Sequence, residues 1–312
     1  NFHFEITATQ LDESYYETLR HARPGLFQFE VGVQTTHEPT MHAIQRPMGF
    51  EKVKEACMRI MDIGGIHLHV DLIAGLPYET FERFLKSFDD VYSIGADQLQ
   101  LGFLKILKGT PISDEIQKHK YQIRTHAPYE VLENKYIAFH ELSRLKDMEA
   151  LLEYYDNSGK FKLSLKYLMK KANQKPSAFY MSLADYFDKN DYFDSPIGTY
   201  RLYELLYDFY VHKYGESDLF KDVLKADYYY SNMKGDRELF NYTVWPNFNE
   251  WRLSLLKNAD CIAEYLGIHD SIPPKQILKN VTFATFMYDI MSLISSDYKT
   301  CEKKNTVMVF DY

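Results

Sequence analysis

Polar side chains alternate with apolar ones along four segments in the first third of the chain. In "FQFEVGVQ", for example, amides and a carboxylate alternate with phenylalanines and valines. Alternate side chains of a strand share one face, so each segment predicts a strand with one polar stripe. Carboxylates and amides in that arrangement can bind the hydroxyl and ammonium groups of a polar ligand. The polar stripes consist of His3, Glu5 and Thr7; Gln28, Glu30 and Gln34; His67, His69 and Asp71; and Gln98 and Gln100.

Helical segments separate these four strands. The segments "DESYYETLRHA", "FEKVKEACMRIMDIG" and "ETFERFLKSFDDVYSIG" each follow a strand. Such alternation predicts βαβ units and a parallel sheet, and therefore an α/β fold. A complete eight-stranded barrel fills its interior with apolar side chains, so four polar stripes predict an open, wetted interior. An antiparallel sheet with one solvated face is the alternative, and the intervening helices disfavour it.

Composition excludes several partners. The 312 residues carry a formal net charge of -8, which disfavours an electrostatic grip on nucleic acid. No apolar stretch approaches the roughly 20 residues of a membrane span. We therefore expect a cytoplasmic protein that binds neither nucleic acid nor membrane, with a small-molecule or unknown substrate. Its cysteines, Cys57, Cys261 and Cys301, are spaced too widely for a disulfide framework or a local metal motif.

Three stretches resemble a known enzyme family. "FQFEVGVQTTHEPTMHAIQRPMGFEKVKEAC", "HLHVDLIAGLPYETFERFLKSF" and "LQLGFLKILKGTP" are similar to the later strands of radical S-adenosylmethionine (SAM) enzymes. The similarity is to the group that contains oxygen-independent coproporphyrinogen dehydrogenase and the cobalamin-binding-domain radical SAM proteins. It covers about residues 1–118, and its most specific feature is the order "GVQ", a downstream arginine, and "DLIxGLP".

The resemblance implies a site for SAM. Carboxylates suit the ribose hydroxyls and the ammonium group of SAM, whereas an arginine can bind its carboxylate with two hydrogen bonds. The backbone after the fourth strand is implied beside the adenine, and a glycine after the third strand allows close approach. The implied SAM-binding residues are Glu5, Gln34, Arg46, Asp71, Gly75, Lys105 and Ile106.

The resemblance also implies cofactors that this chain does not hold by itself. Radical SAM enzymes use a 4Fe-4S cluster, held by three cysteines in C-x3-C-x2-C spacing, to cleave SAM to a 5'-deoxyadenosyl radical. That spacing is absent here. We therefore expect the cluster ligands, and a cobalamin-binding segment if the parent has one, upstream of residue 1. In this interpretation the chain is the C-terminal part of a partial (β/α)6 TIM-like barrel, inactive alone, and its substrate is unknown.

The second part of the chain has a different pattern. Amphipathic segments at helical spacing, such as the stretch from residue 126 to residue 172, predict a mostly helical domain. Its last segments, "VTFATFMYDI" and "KNTVMVFDY", predict a terminal β-hairpin. The layout resembles the uncharacterised C-terminal domain of some cobalamin-type radical SAM proteins. We predict domains over residues 1–120 and 123–312, with a linker between about residues 118 and 128.

Two other functions remain open from the residues alone. A non-radical TIM-barrel hydrolase or aldolase would use Asp71 and Glu30 with His67 or His69 as acid and base, and it needs no missing cysteines. A partner-binding scaffold on a degenerate barrel needs no catalytic residue at all. A metal site at the two histidines and Asp71 is disfavoured, because no further ligand at suitable spacing is evident.

Overall fold

The structure is a computed structural model that describes residues 1–46, 49–231, 240, 245, 247–266 and 273–311. Its strands form three sheets, one with four strands and two with two. The strands are β1 (Phe2–Ile6), β2 (Phe27–Gln34), β3 (His67–Ala74), β4 (Gln98–Phe103), β5 (Gln122–Ile123), β6 (Val131–Glu133), β7 (Val281–Phe286) and β8 (Thr306–Asp311).

The helices follow the amphipathic segments of the sequence. In the fourth helix Phe81, Phe84, Phe88 and Val91 are buried at intervals of three and four residues, and the hydroxyl of Thr80 caps its first turn. The helices are α1 (Glu13–Arg20), α2 (Glu38–Ala43), α3 (Phe50–Ile63), α4 (Phe81–Tyr92), α5 (Pro111–Asp114), α6 (Ile116–His119), α7 (Phe139–Leu152), α8 (Lys162–Ala172), α9 (Pro176–Lys189), α10 (Thr199–Tyr214), α11 (Asp218–Tyr230), α12 (Phe248–Leu255), α13 (Ala259–Leu266), α14 (Pro274–Ile277) and α15 (Ile290–Ser295).

The four-stranded sheet is parallel, as predicted. Its strand order is β1-β2-β3-β4, and each strand pairs with the next one along the chain. Glu5 lies opposite Glu30, Glu30 opposite His69, and His69 opposite Gln98, so the predicted polar stripes form rows across one face. The antiparallel alternative is wrong. Closure into a barrel stays a prediction, because β1 to β4 form an open sheet among the described residues.

The chain divides into two compact units. The first contains Asn1–Asn157 and Gln174–Ser195, and the second contains Ser158–Asn173 and Pro196–Tyr312. In the first unit, α9 packs on α4 and α7; the ring of Tyr180 lies 5.9 Å from that of Phe88. Because α9 contributes fully buried side chains such as Phe187 to this core, the unit extends past the predicted boundary near residue 120.

In the second unit, α11 bonds to the backbone of other elements through buried charged side chains. The carboxylate of Asp227 accepts hydrogen bonds from the backbone N–H groups of Leu163 (3.0 Å) and Ser164 (2.7 Å), in the first turn of α8. The ammonium group of Lys225 donates to the carbonyl oxygen of Thr285 at 2.9 Å. Burial raises the pKa of Asp227 to about 7 although both backbone bonds favour its charged form.

The terminal strands of the second unit pair as predicted, but not as a tight hairpin. Strands β7 and β8 are antiparallel, and α15 lies between them in the sequence. They pack with α12 to α14 around a second apolar cluster that includes Trp251 and Phe283. Residue 312, the last of the predicted second strand, lies outside the described residues. The stretch "NEWRLSLLKNADCIAEYLG" also has helical spacing, and its last residue, 267, lies outside them as well.

The segment from residue 126 to residue 172, whose periodicity predicts a mostly helical structure, is divided into several elements. It contains β6, α7, a short π-helix over Glu153–Asn157 and α8. The side chain of Asn134 accepts hydrogen bonds from the backbone N–H groups of Tyr136 and Ile137, a local turn that competes with helix. The predicted linker is also partly buried, since His119 and Tyr121 are 0% and 6% exposed.

No helix in the described part of the chain combines the length and the apolar character that crossing a membrane requires.

Candidate functional site

The polar face of the sheet carries a cavity at the ends of β1, β2 and β3. Its volume is about 340 Å³. Four of the predicted site residues meet in it, because parallel strands place their carboxyl ends at the same edge of a sheet. The cavity is lined by Glu5, Ile6, Thr7, Glu30, Gly32, Gln34, Arg46 and Asp71.

Gly32 has no side chain, and the space beside it is occupied by the polar side chains of Gln34 and Arg46. A Cβ atom at Gly32 would lie 2.5 Å from the Nε2 atom of Gln34 and 3.2 Å from the Nη1 atom of Arg46. The pairing of β2 with β3 is irregular between Gly32 and Gln34, and Gln34 has a positive φ of 68°. At this irregular strand end the amide of Gln34 lies over the glycine, beside the guanidinium group of Arg46 that lines the same cavity.

Asp71 is the most perturbed carboxyl group of the site. Its Oδ1 atom is buried and has no hydrogen-bond partner among the described residues. Burial, followed by the neighbouring carboxylate of Glu30 and the charge of Glu5, raises the pKa of Asp71 to about 7. A cation or a hydrogen-bond donor placed in the cavity would relieve both effects, because it would favour the charged form of Asp71.

The other three predicted site residues lie outside the cavity lining. Gly75 has φ 89°, a conformation that favours glycine, and its carbonyl oxygen accepts a hydrogen bond from the side chain of Asn134 at 2.9 Å. The backbone N–H of Ile106 donates to the carbonyl oxygen of Tyr129 at 3.1 Å. The backbone of Lys105 forms an isolated antiparallel β-bridge with that of Glu130. The structure therefore does not bring Gly75, Lys105 or Ile106 together with Glu5 and Asp71.

The histidines of the polar stripes pair with other side chains. His3 Nε2 lies 3.1 Å from Glu30 Oε2, and His69 Nε2 lies 3.0 Å from the amide nitrogen of Gln28. The rings of His67 and His69 meet edge to face at 4.7 Å. Burial and the neighbouring His67 lower the pKa of His69. Within the described residues, no three His, Cys, Asp or Glu side chains form a group that could hold a metal ion.

The cysteines do not fit an iron-sulfur cluster. Cys57 is buried in the first unit, and burial raises its pKa to about 12, which disfavours the thiolate that iron requires. Cys261 and Cys301 belong to the second unit. The site thus offers ligands for a polar organic molecule, and these cysteines offer no cluster site.

Sequence reasoning missed a buried network directly behind the cavity. The hydroxyls of Thr35 and Ser87 both donate to Glu79 Oε1, at 2.6 and 2.7 Å. Glu79 is 2% exposed, and burial raises its pKa. Thr35 follows Gln34 directly, so the network fixes the end of β2 against α4. Both "GVQTT" and "GLPYET" contain polar residues directly after a strand, namely Thr35 and Glu79, and these residues were the sequence signal for the network.

A family model matches most of the chain beyond the sheet. The model is described as "Protein of unknown function (DUF4080)", and it matches residues 117–310, more than half of the 312 residues. The chain belongs to this family. The DUF4080 match begins close to the predicted boundary at residues 120–123, whereas the first compact unit extends to residue 195. The predicted domain division therefore stays a prediction.

The four-stranded sheet of this DUF4080 protein lies outside the family match, and the chain is similar to part of a curated protein. The uncharacterized protein YtqA of Bacillus subtilis (strain 168) is 28% identical over 100 residues, 32% of this chain and 31% of YtqA. The chain thus spans less than a third of this relative's length.

Solved structures similar to the DUF4080 chain also match only in part. Elp3 from Methanocaldococcus infernus has a TM-score of 0.33 at 18% identity, over 37% of this chain and 27% of Elp3. The radical SAM methyltransferase TsrM from Kitasatospora setae, solved with tryptophan and a SAM analog, has a TM-score of 0.35 at 20% identity, over 42% and 26%. HemN from Escherichia coli, named as a radical SAM enzyme, has a TM-score of 0.30 at 16% identity, over 47% and 38%. At these scores the similarity does not establish a common fold, and the predicted cobalamin subfamily stays a prediction.

Proposed function

We propose that the cavity on the sheet binds S-adenosylmethionine as part of a radical SAM enzyme. One observation carries the proposal: Asp71 Oδ1 is buried without a hydrogen-bond partner among the described residues, in a cavity that also presents Glu5, Gln34 and Arg46. An unpartnered buried carboxylate oxygen is costly, so a ligand that supplies a donor or a positive charge would bind there favourably.

The donor set fits the chemistry of SAM. In the proposed assignment the carboxylates of Glu5 and Asp71 accept hydrogen bonds from the ribose hydroxyls and the ammonium group. The guanidinium of Arg46 binds the carboxylate of the methionyl part, and the amide of Gln34 serves either type of group. When bound to a reduced 4Fe-4S cluster, SAM supplies a 5'-deoxyadenosyl radical for hydrogen abstraction. The protein's own part is to bind and orient the molecule.

We propose further that the cluster belongs to other segments of the same parent protein. The cysteines of this chain do not fit it, and the sequence lacks the C-x3-C-x2-C spacing. Upstream segments would supply the cluster ligands, and a cobalamin-binding segment would belong there as well. The parent is proposed to be a cytoplasmic enzyme with a small-molecule substrate, and the DUF4080 region is proposed to be its helical C-terminal domain.

An acid-base function of the same cavity is the second candidate. A carboxyl group with a pKa of about 7 beside a second carboxylate, here Asp71 beside Glu30, is a pattern that suits a general acid or base. A hydrolase or aldolase of this kind would not require SAM. The two candidates differ in what the cavity binds, and calorimetry separates them.

The first prediction is that, in a version of the protein with the cluster restored, Asp71→Ala and Gln34→Ala weaken SAM binding by about tenfold to a hundredfold. A hydrogen bond to a charged group contributes roughly 1.5 to 3 kcal/mol. Isothermal titration calorimetry with SAM measures this. Because a bound ammonium group favours ionised Asp71, binding near pH 6.5 should release protons, which titrations in phosphate and Tris buffers detect.

Gln100→Ala is the matched control. Gln100 pairs with Asp71 across β3 and β4 but is exposed and lies outside the cavity lining, so its loss should leave SAM affinity unchanged. No heat of binding with SAM, or equal affinity in all four proteins, would refute the SAM site and leave the acid-base function as the better explanation of Asp71.

A further inference from the structure

A second cluster of titratable side chains surrounds His119. This histidine is fully buried at the end of α6. Its Nε2 atom lies 2.9 Å from Oε2 of Glu115, and its Nδ1 atom lies 3.0 Å from the hydroxyl of Tyr136. The three side chains thus form a continuous chain of hydrogen bonds from an exposed carboxylate, through a buried imidazole, to a half-buried phenol.

Hydrogen-bonding capacity determines where the protons lie. Hydrogen bonds from Lys118 and His119 lower the pKa of Glu115, which is therefore an acceptor at neutral pH. In the imidazole tautomer that donates from Nε2 to Glu115, Nδ1 is an acceptor. The hydroxyl of Tyr136 must donate to Nδ1, because otherwise a buried nitrogen would have no partner. The arrangement matches that of a catalytic triad, with a phenol in the position of the nucleophile.

The backbone is strained where it completes this cluster. Tyr78 has φ 66°, which is unfavourable for a residue with a side chain. In that conformation its ring meets His119 edge to face at 5.2 Å and lies 5.2 Å from the ring of Tyr136. A fourth aromatic residue, Tyr121, is 6% exposed, and its hydroxyl has no hydrogen-bond partner among the described residues.

We propose that Glu115, His119 and Tyr136 form an acid-base site whose reacting group is the hydroxyl of Tyr136. The site would take a small molecule with a weakly acidic hydroxyl or a carbonyl oxygen, bound against the rings of Tyr78 and Tyr136. As a base, the Tyr136 oxygen accepts a proton from the ligand while its own proton passes to Nδ1 of His119. The resulting imidazolium is stabilised by the carboxylate of Glu115, and the reverse transfer returns the proton. The step requires no electron transfer and no co-reactant.

This site is independent of the proposed SAM function. It shares no residue with the cavity lined by Glu5 and Asp71, and none of its members binds SAM in the proposed assignment. It would therefore stand even if SAM did not bind. A purely structural role for His119 would explain its burial and its two hydrogen bonds, but it would not make the phenol reactive, so reactivity is the property to measure.

The test is labelling of the full chain with an aryl sulfonyl fluoride, quantified for each tyrosine by peptide mass spectrometry. The phenol oxygen forms a bond to sulfur, the S–F bond breaks, and the phenol proton passes to His119. We expect Tyr136 to react about tenfold faster than Tyr15 at pH 7 because a positioned base assists its deprotonation. Tyr15 is the internal reference, because it is 56% exposed on α1 of the same unit.

Glu115→Gln is the decisive variant, because this exposed side chain can be changed without disturbing the core. It should reduce Tyr136 labelling to within about twofold of Tyr15, since the imidazolium loses its carboxylate. Lys118→Gln, which removes the other partner of Glu115, should leave labelling fast. His119→Phe should abolish the difference if the variant folds. Labelling of Tyr136 no faster than that of Tyr15, or unaffected by Glu115→Gln, would overturn the proposal.

Discussion

At the scale of single residues, the sheet holds Asp71 in an environment that disfavours its charge. Its neighbours on the polar face are the carboxylates of Glu5 and Glu30, which lie opposite each other on β1 and β2. Three carboxyl groups around one cavity repel one another when all are ionised. Such an arrangement costs stability, and a positive charge placed in the cavity would reduce that cost.

We predict that Asp71→Asn changes how stability depends on pH. The pKa of Asp71 is about 7 in the folded chain and near its ordinary value of 3.8 when unfolded. The folded state therefore binds more protons between these values, so the contribution of Asp71 is fully present below pH 3.8 and is lost as pH rises toward 7. The variant lacks this loss. Its free energy of unfolding, relative to the natural chain, should increase by about 2 kcal/mol from pH 4 to pH 8, roughly half of what a pKa of about 7 against 3.8 would give for a group that solvent does not screen.

Urea unfolding followed by circular dichroism at several pH values measures this difference. Glu51→Gln, which changes an exposed carboxylate on α3, is the control and should give the same difference at every pH. A pH-independent difference for Asp71→Asn would mean that the pKa of Asp71 is the same in the folded and the unfolded chain, contrary to its environment.

The next prediction concerns the space beside Gly32, which the side chains of Gln34 and Arg46 occupy. In Gly32→Ala the new methyl group would meet the far ends of the Gln34 and Arg46 side chains, which are flexible and can move away. We expect the free energy of unfolding to fall by less than about 1 kcal/mol, while SAM affinity falls about tenfold because both groups leave the cavity. Gly102→Ala on β4, where the nearest atom is 3.4 Å away, is the control. Calorimetry showing equal SAM affinity in both variants would contradict the role of the glycine.

At the scale of elements, the network of Thr35, Glu79 and Ser87 joins the end of β2 to the start of α4. Thr35 is fully buried, and its Oγ1 atom also accepts a hydrogen bond from the backbone N–H of His37 at 3.0 Å. Arg83 extends the network toward the surface by donating to the hydroxyl of Thr36 at 2.8 Å. The end of β2, which places Gln34 in the cavity, is therefore fixed by hydrogen bonds between residues outside the cavity lining.

We predict that Thr35→Val lowers the free energy of unfolding by about 1 to 3 kcal/mol, because it leaves the N–H of His37 without its acceptor and removes one of the two hydroxyls that donate to Glu79. Ser87→Ala should couple to it in a double-mutant cycle, since both hydroxyls donate to the same oxygen. Urea denaturation measures both effects. Thr18→Val, at an exposed position of α1, should change stability by less than about 0.5 kcal/mol. Strict additivity of the two buried changes would contradict a shared acceptor.

The sequence predicted the elements whose signals are local. Alternation within β2 and β3 identified the polar face, and this placed Glu5, Gln34 and Asp71 on one side of one sheet. Lys105 and Ile106 could not be placed in this way, because they follow the end of β4, where the backbone pairs with the segment around Glu130. The Glu79 network and the hydrogen bond between His119 and Tyr136 could not be predicted either, because they join residues that are distant in sequence and share no strand or helix pattern.

At the scale of the whole molecule, helix α9 lies in the first compact unit although its sequence follows α8, which lies in the second. Amphipathic periodicity identified both as helices. It could not assign either helix to a unit, because the surface against which a helix packs is formed by residues distant in sequence. The ring of Phe187 lies 6.2 Å from that of Tyr155, which shows how α9 joins the core of the first unit. The change in sequence pattern near residue 120 therefore could not show that α9 belongs to the first unit.

We predict that Phe187→Ala destabilises the first unit selectively. Removing a fully buried phenylalanine typically costs about 3 to 5 kcal/mol. Hydrogen exchange measured by mass spectrometry should therefore accelerate in α4 and α7, the partners of α9, more than in α10 and α11 of the second unit. Met291→Ala, at an exposed position of α15, is the control and should leave both patterns unchanged. Equal acceleration in both units would mean that they unfold as one.

The interleaving of the two units also has a consequence for protein synthesis. The first unit lacks α9 until residue 195 has left the ribosome, and by then α8 has emerged without α11, whose Asp227 caps it. Domains usually fold as units while the chain is being made. Here neither unit can be completed before a piece of the other has been synthesised, so α8 must wait, without its carboxylate cap, through the translation of more than fifty residues.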